Sequence, residues 1–357
     1  MRAPTLLAIT CLTQLGGLLR IARGPTTRTL FLVALMGCGG QEVRDAGLDA
    51  PSLDDATSID APASDTALDA PRRGDAGYDS GARCELPADL DAGPVVSCNG
   101  RPELCARRFD EVAFATTHNA MSSDEDGFRA PNQHFRLWRQ LEDGVRGFML
   151  DVWVDREGTT SLCHGSCLIG HRPLVDGLRD LRLFLDCHPH DVVVIIFEAH
   201  TTEDRVAAAF AESGLDRYLH SPEGPAAAGY AWPTLAEMIA QDERVVVFTD
   251  DRAASLPWHL YTYDWAWENP YAADTPADLS CAQDRGDRSR SLWVFNHFLT
   301  NPVASPALAE MVNHDPFFTD RVIGCRAEAS GDLPNFVTVD FYDVGDVLGV
   351  VDALNAP

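Results

Sequence analysis

Residues 192–198 read Val-Val-Val-Ile-Ile-Phe-Glu. Six consecutive apolar residues, mostly β-branched, make a run of strand length that ends in a carboxylate. Near-continuous apolar strands of this kind belong to parallel sheets covered by helices on both faces. Comparable runs lie at Val112–Thr117, Arg146–Val154, Thr160–His164, Val245–Thr249, Leu260–Asp264, Leu292–Phe298 and Phe336–Tyr342. Between several of them, apolar residues three and four apart mark helices, at Leu174–Leu185, at Val206–Leu219 and from Leu235–Ile239 onward. The alternation predicts an α/β domain folded as a TIM-like (β/α)8 barrel, closed or distorted. An open doubly wound sheet is the alternative. No glycine-rich nucleotide fingerprint follows the first strand, which counts against it.

The ends of these runs carry the polar residues. His118 with Asn119, Asp151, His164, Glu198, Asp250, Asn296 with His297, and Asp340 all sit at or just past a C-terminal strand end. In a barrel those ends converge on one face, where active sites lie.

Composition narrows the chemistry. The net charge is -26, and all 28 basic residues are arginine. An acidic chain without clustered cations is not built to bind nucleic acid. Without lysine, neither a Schiff base on Lys nor a Walker-type phosphate loop is available.

The N-terminal residues read as an export signal rather than as fold. Arg20, Arg23 and Arg28 precede the apolar run Leu30–Met36, followed by Gly37-Cys38-Gly39. The run is too short to span a bilayer and fits a signal peptide over 1–38. Leu35-Met36-Gly37-Cys38 resembles a lipobox, so Cys38 is expected to become a lipidated N-terminus that anchors the chain to the cell envelope. Plain secretion is the alternative. Residues 39–83, rich in Asp, Ala, Pro, Ser and Gly, are expected to be a disordered linker. The folded domain is expected over 84–357. It holds eight cysteines (Cys84, Cys98, Cys105, Cys163, Cys167, Cys187, Cys281 and Cys325). An even number in an exported chain points to disulfides, with Cys98–Cys105 and Cys163–Cys167 as short local loops. Zinc at Cys163-x-x-x-Cys167 is the competing reading, and no second close Cys or His pair supports it.

Several of these stretches match a known family in order. Phe114-Ala115-Thr116-Thr117-His118-Asn119 resembles the first signature of the phosphatidylinositol-specific phospholipase C X domain. Gln140-Leu141 followed by Gly144–Asp151 resembles the second, Cys163-His164-Gly165 the third, and Val192–Glu198 the strand that ends in Glu in calcium-dependent members. Asn335–Tyr342 resembles the last strand of the bacterial and plant-like secreted branches. The resemblance implies a TIM-like barrel that cleaves a phosphodiester by attack of a neighbouring hydroxyl, through a cyclic phosphate. It implies His118 as base, His164 as acid and Asp340 as the carboxylate orienting His118. Histidine suits both tasks because its pKa lies near operating pH. It further implies a calcium ion on Asn119, Asp151 and Glu198, since one branch uses an Arg where Asp151 stands. Met149 occupies a position that often carries another acidic ligand.

Arg146, Tyr263 and Trp265 are candidate substrate contacts. Arg146 could brace the carboxylates or form a buried pair, and Tyr261, Tyr263, Trp265 and Trp267 could stack on a ring or pack in the core. The expected partners are a phospholipid or other phosphodiester and the membrane bearing the Cys38 lipid, with the chain acting as a monomer. Glycerophosphodiester and sphingomyelin-type phosphodiesterases share the barrel, but they carry a Glu-x-Asp metal pair that Met149-Leu150-Asp151 lacks. A non-catalytic surface binding module is the non-enzymatic alternative, and the intact His118 and His164 speak against it.

Overall fold

Strand-length apolar runs do become strands. The computed structural model describes residues 95–223 and 230–357. The signal peptide over 1–38, lipidation of Cys38 and the linker over 39–83 lie outside the described residues. The strands are β1 (Phe114–Thr117), β2 (Gly147–Val154), β3 (Thr160–Leu162), β4 (Arg172–Pro173), β5 (Val193–Ala199), β6 (Val245–Thr249), β7 (His259–Tyr261), β8 (Ala266–Glu268), β9 (Leu292–Asn296) and β10 (Phe336–Val339). Eight of them pair in the order β7-β6-β5-β2-β1-β10-β9-β8, every neighbour parallel. The result is a curled α/β sheet, a distorted TIM-like barrel.

Of the two expected forms the barrel takes the distorted one: among the described residues β7 and β8 end the order without pairing to each other. Only the single turn α5 (Thr262–Trp265) separates them, too little chain for a crossover between parallel neighbours. The run Thr160–His164 is not a barrel strand. Its β3 turns back antiparallel on β2 and pairs with β4. The eighth barrel strand is instead β8, whose three residues lack the length that marks a strand in sequence.

Alternation along the strands builds two cores. Inward residues Phe114, Val194, Ile196, Val246, Phe248, Val294 and Phe336 fill the barrel. Below them Phe109 and Trp232 close the N-terminal end, their rings 4.7 Å apart. Outward residues Phe148, Leu150, Val193, Ile195, Phe197 and Val247 meet Leu178, Leu181, Phe184 and Leu185 of α2 (Leu174–Cys187). Each such side chain contributes about 1.5–3 kcal/mol on burial. The remaining helices are α1 (Leu137–Asp143), α3 (Glu203–Ser213), α4 (Leu235–Ala240), α6 (Pro306–Val312), α7 (Phe317–Glu328) and α8 (Val347–Leu354). A reciprocal Thr234–Glu237 capping box starts α4, satisfying two otherwise orphaned donors. Gly144 ends α1 at φ 109, a left-handed conformation that favours glycine.

Gln140 of α1 fixes the end of β1. Its fully buried amide accepts from Thr117 Oγ1 (2.7 Å) and donates to the carbonyls of Ala120 (2.8 Å) and Phe135 (2.7 Å). Disulfides form at Cys98–Cys105, Cys163–Cys167 and Cys281–Cys325, and Cys187 is disulfide-bonded too. Zinc at Cys163 and Cys167 is thereby set aside.

Thr116 and Gly147 are register partners on the inner face. A Cβ at residue 147 would collide with Thr116 Oγ1 and lie 2.9 Å from Thr116 Cβ. Thr116 is β-branched and cannot swing away freely. Gly147→Ala is therefore expected to cost about 1–3 kcal/mol in urea unfolding followed by circular dichroism. An unchanged midpoint would contradict this packing.

Candidate active site

Period-two geometry aims inward residues from the C-terminal halves of the strands at one place. On β1 the inward series runs Phe114, Thr116, His118; on β2 Gly147, Met149, Asp151; on β5 Val194, Ile196, Glu198. On β6 it ends in Asp250 and on β9 in Asn296; both line a cavity of about 230 Å³. Register sets them level: Asp151 lies opposite Glu198, and the Phe197–Thr249 and Thr117–Val339 pairings bring Glu198 beside Asp250 and His118 beside Asp340. Tyr263, Glu268, Tyr271, Arg285 and Phe298 complete the wall.

His118 is the most constrained of these side chains. Its Nδ1–H donates to Asp340 Oδ1 at 3.0 Å, and Asn132 donates to the same oxygen at 2.9 Å. With the proton on Nδ1, the lone pair stands on Nε2, where the Asn119 amide meets it at 3.1 Å. Phe298 stacks on the ring at 4.0 Å. Gln133 ties down the backbone, donating to the carbonyls of His118 (2.9 Å) and Val339 (3.2 Å). Burial opposes charging the imidazole, but Asp340, with Asp151 and Glu198 behind it, outweighs that and holds His118 above its ordinary pKa.

The carboxylates crowd one another. Burial pushes the Asp151 carboxyl up to about 7, and the charges of Glu198 and Asp250 add to the rise. Asp250 is also raised, first by burial. Glu268 is buried and raised as well, and it pairs with Arg285 and accepts from Tyr263 at 3.2 Å. Arg285 in turn lies over the rings of Tyr263 and Tyr271, 5.0 and 4.8 Å from their centroids.

His164 follows β3, whose return along β2 brings Cys163 N–H to the Asp151 carbonyl at 3.2 Å. Burial, then the His118 charge, lowers its pKa. The ring stands beside the cavity rather than in its lining, yet within reach of the His118, Asp340 and Glu198 charges.

The donor set suits a hard cation by chemistry, since Asp151, Glu198 and Asn119 offer oxygens and the carboxylates repel each other. Among the described residues, however, no three His, Cys, Asp or Glu side chains converge closely enough to hold a metal ion. Met149 occupies the inward position two residues before Asp151 and adds no charge. Glu198 also accepts from His200 Nε2 at 2.7 Å. The protein would thus supply only part of a calcium shell.

Two candidate substrate contacts are corrected. Arg146 does not reach the cavity. It precedes inward-facing Gly147, so it points outward, where it pairs with Asp191 at 3.2 Å and lies over the Phe184 ring. Trp265 is a core residue packed on Trp232, centroids 5.2 Å apart. The turn α5 breaks the period of two, so the aromatic series does not share a face. Tyr263 lines the cavity, while Trp267 stacks outward on Trp293 at 4.3 Å. His297 likewise faces outward, its Nε2 donating to the Val312 carbonyl at 2.9 Å. Sequence reading passed over Asn132, Phe298, Glu268 and Arg285. Asn132 and Arg285 lie in loops, and β8, which bears Glu268, is too short to mark.

Comparison with known proteins bears on the family and the fold. The PI-PLC X 1 family model matches residues 104–355. A PI-PLC X domain-containing protein of Arabidopsis thaliana is 28% identical over 286 residues, 74% of this chain; the chain spans 65% of that relative's length. PI-PLC X domain-containing protein 1 of Arthroderma benhamiae is 28% identical over 283 residues, covering 72% of this chain and 89% of that one. An uncharacterized secreted protein of the same organism is 27% identical over 276 residues, 71% of this chain and 62% of that one. Among solved structures, a phosphatidylinositol-specific phospholipase C of S. aureus superposes with a TM-score of 0.50 over 71% of this chain and 95% of that one, at 14% identity. That last likeness concerns the fold.

If Asp340 holds the His118 proton, Asp340→Asn removes the charge that outweighs burial, and the His118 pKa must fall. A drop of roughly 1 unit or more is expected in an NMR titration of its ring protons. An unshifted His118 would show that Asp340 does not control it.

Proposed function

This chain belongs to the PI-PLC X domain family, and from that premise we propose that it cleaves phosphatidylinositol-like phosphodiesters by histidine acid–base catalysis. The observation that carries the reading is His118 in the cavity wall, its Nδ1 engaged by Asp340 and its Nε2 met by the Asn119 amide, with His164 near enough to feel its charge. His118 Nε2 takes the proton of the headgroup hydroxyl next to the phosphate. That oxygen attacks phosphorus to close a cyclic phosphate, and His164 protonates the leaving alkoxide. Water then opens the ring with the roles exchanged.

The resting electrostatics bear on the order of events. His118 is raised and His164 lowered, so the free site prefers its proton on His118. That is the distribution needed for the second step. For the first, the anionic phosphate has to raise His164 on binding, and charge neutralisation beside Asp151 and Glu198 has to lower His118.

Calcium belongs to the same reading. Asp151, Glu198 and Asn119 would hold it, and when bound it supplies positive charge to the phosphate. Support comes from the crowding of Asp151 and Asp250 beside Glu198, which adds to the rise that burial gives both and which a bound cation would relieve. Export and lipid attachment at Cys38 are also proposed; a relative named as a secreted protein supports export.

With phosphatidylinositol vesicles as substrate, His118→Ala and His164→Ala are each expected to lose at least ~10²–10⁴-fold in rate. Asp151→Ala should lose calcium binding, whereas the histidine variants keep it. Asp151→Arg should retain some activity in chelator, where the parent has none. Full parental activity in chelator would remove calcium from the mechanism. Full activity of both histidine variants would remove the mechanism itself. For the anchor, mass spectrometry of mature protein should find acyl chains on Cys38, and an unmodified N-terminus elsewhere would count against it.

A further inference from the structure

The two histidines are held in different ways. His118 has a carboxylate, an amide and a stacked ring around it. His164 makes no side-chain hydrogen bond among the described residues, and its Nδ1 is buried without a partner. Nothing polar orients that imidazole, so its backbone must.

That backbone is unusually confined. His164 lies inside the smallest disulfide ring among the described residues, closed by Cys163–Cys167 at a sequence separation of 4. Cys163 is fully buried, and its N–H donates to the Asp151 carbonyl at 3.2 Å. Within the ring, Ser166 N–H closes on the His164 carbonyl at 2.6 Å, and Gly165 supplies the required positive φ of 65°. A ring this short removes little entropy from the unfolded chain compared with Cys281–Cys325, which spans 44 residues. Its effect falls on local geometry.

We propose that the Cys163–Cys167 disulfide positions His164, doing for the second histidine what Asp340 does for the first. Clipped to Asp151 at one end and closed covalently at the other, the ring presents His164 Nε2 to the leaving oxygen. Cys163 and Cys167 are thus positioning residues for proton transfer to the leaving group. An environment that reduces this one bond would weaken the acid step while the fold persists.

The inference rests on His164 being the acid, and leaving-group chemistry separates the two claims. An alkoxide leaving group needs the proton, whereas a nitrophenolate leaves without it. The full chain is assayed on an inositol phosphodiester of each kind. His164→Ala is expected to fail on the alkyl substrate and to keep most activity on the nitrophenyl one. The double variant Cys163→Ser with Cys167→Ser is expected to reproduce that selectivity with a loss of about 10–100-fold on the alkyl substrate. Gly165→Ala keeps both half-cystines but strains the ring, and it is expected to show the same selectivity if the double variant fails to fold. Equal losses on both substrates, or no loss on either, overturn the positioning role. If His164→Ala itself shows no selectivity, the acid assignment falls and takes the inference with it.

Discussion

Parallel pairing between β1 and β10 is the constraint on which the rest depends. These two segments lie some two hundred residues apart in the chain, yet Phe114–Thr117 runs beside Phe336–Val339 in unbroken register. Such non-local pairing becomes favourable only once most of the chain is ordered. One step past the ladder, the same register delivers His118 to Asp340. The base and its orienting carboxylate are therefore a consequence of sheet completion. Slipping β10 by one residue would turn Phe341 inward and Asp340 out toward the helices.

Negative charge dominates the mouth of this sheet. Glu198, Asp250 and Glu268 lie at or just past the ends of their strands and Asp151 lies within β2, and the pairing leaves them near one another. Burial raises Asp151, Asp250 and Glu268 above their usual values, and the Glu198 charge adds to the rise of Asp151 and Asp250. A site that must accept an anionic phosphodiester holds few cations to receive it. Arg285 lines the cavity, but it is paired with Glu268 and packed against two tyrosines. The electrostatic need for a further positive charge is built into the strand ends.

The two histidines divide rigidity between two kinds of support. Around His118, orientation comes from hydrogen bonds and stacking, which persist only while the sheet is complete. Around His164, it comes from a small covalent ring attached to Asp151. The main chain of Asp151, whose carboxylate is proposed to meet calcium, is therefore also a fixed point for the second histidine's loop, which couples the two halves of the site through one residue.

Much of the domain was determined by sequence alone. The apolar runs at Val192–Glu198, Val245–Thr249, Leu292–Phe298 and Phe336–Tyr342 could only be covered parallel strands, and their polar ends had to gather on one face. His118, His164 and Asp340 stood in ordered motifs, so those residues could be singled out before any coordinates. What tertiary structure decided was parity and partnership. Whether Arg146 faces the cavity or Phe184 depends on a single residue of register, and adjacent positions in a run look equally apolar or polar. One helical turn at Thr262–Trp265 sends Tyr263 into the cavity and Trp265 into the core, and so short a turn leaves no periodic signal. The run at Thr160 folded back antiparallel because it had a nearer partner in β2 than any barrel neighbour. Asn132, Phe298 and Arg285 reach the site from loops whose paths depend on long-range contacts, and no local pattern encodes those contacts.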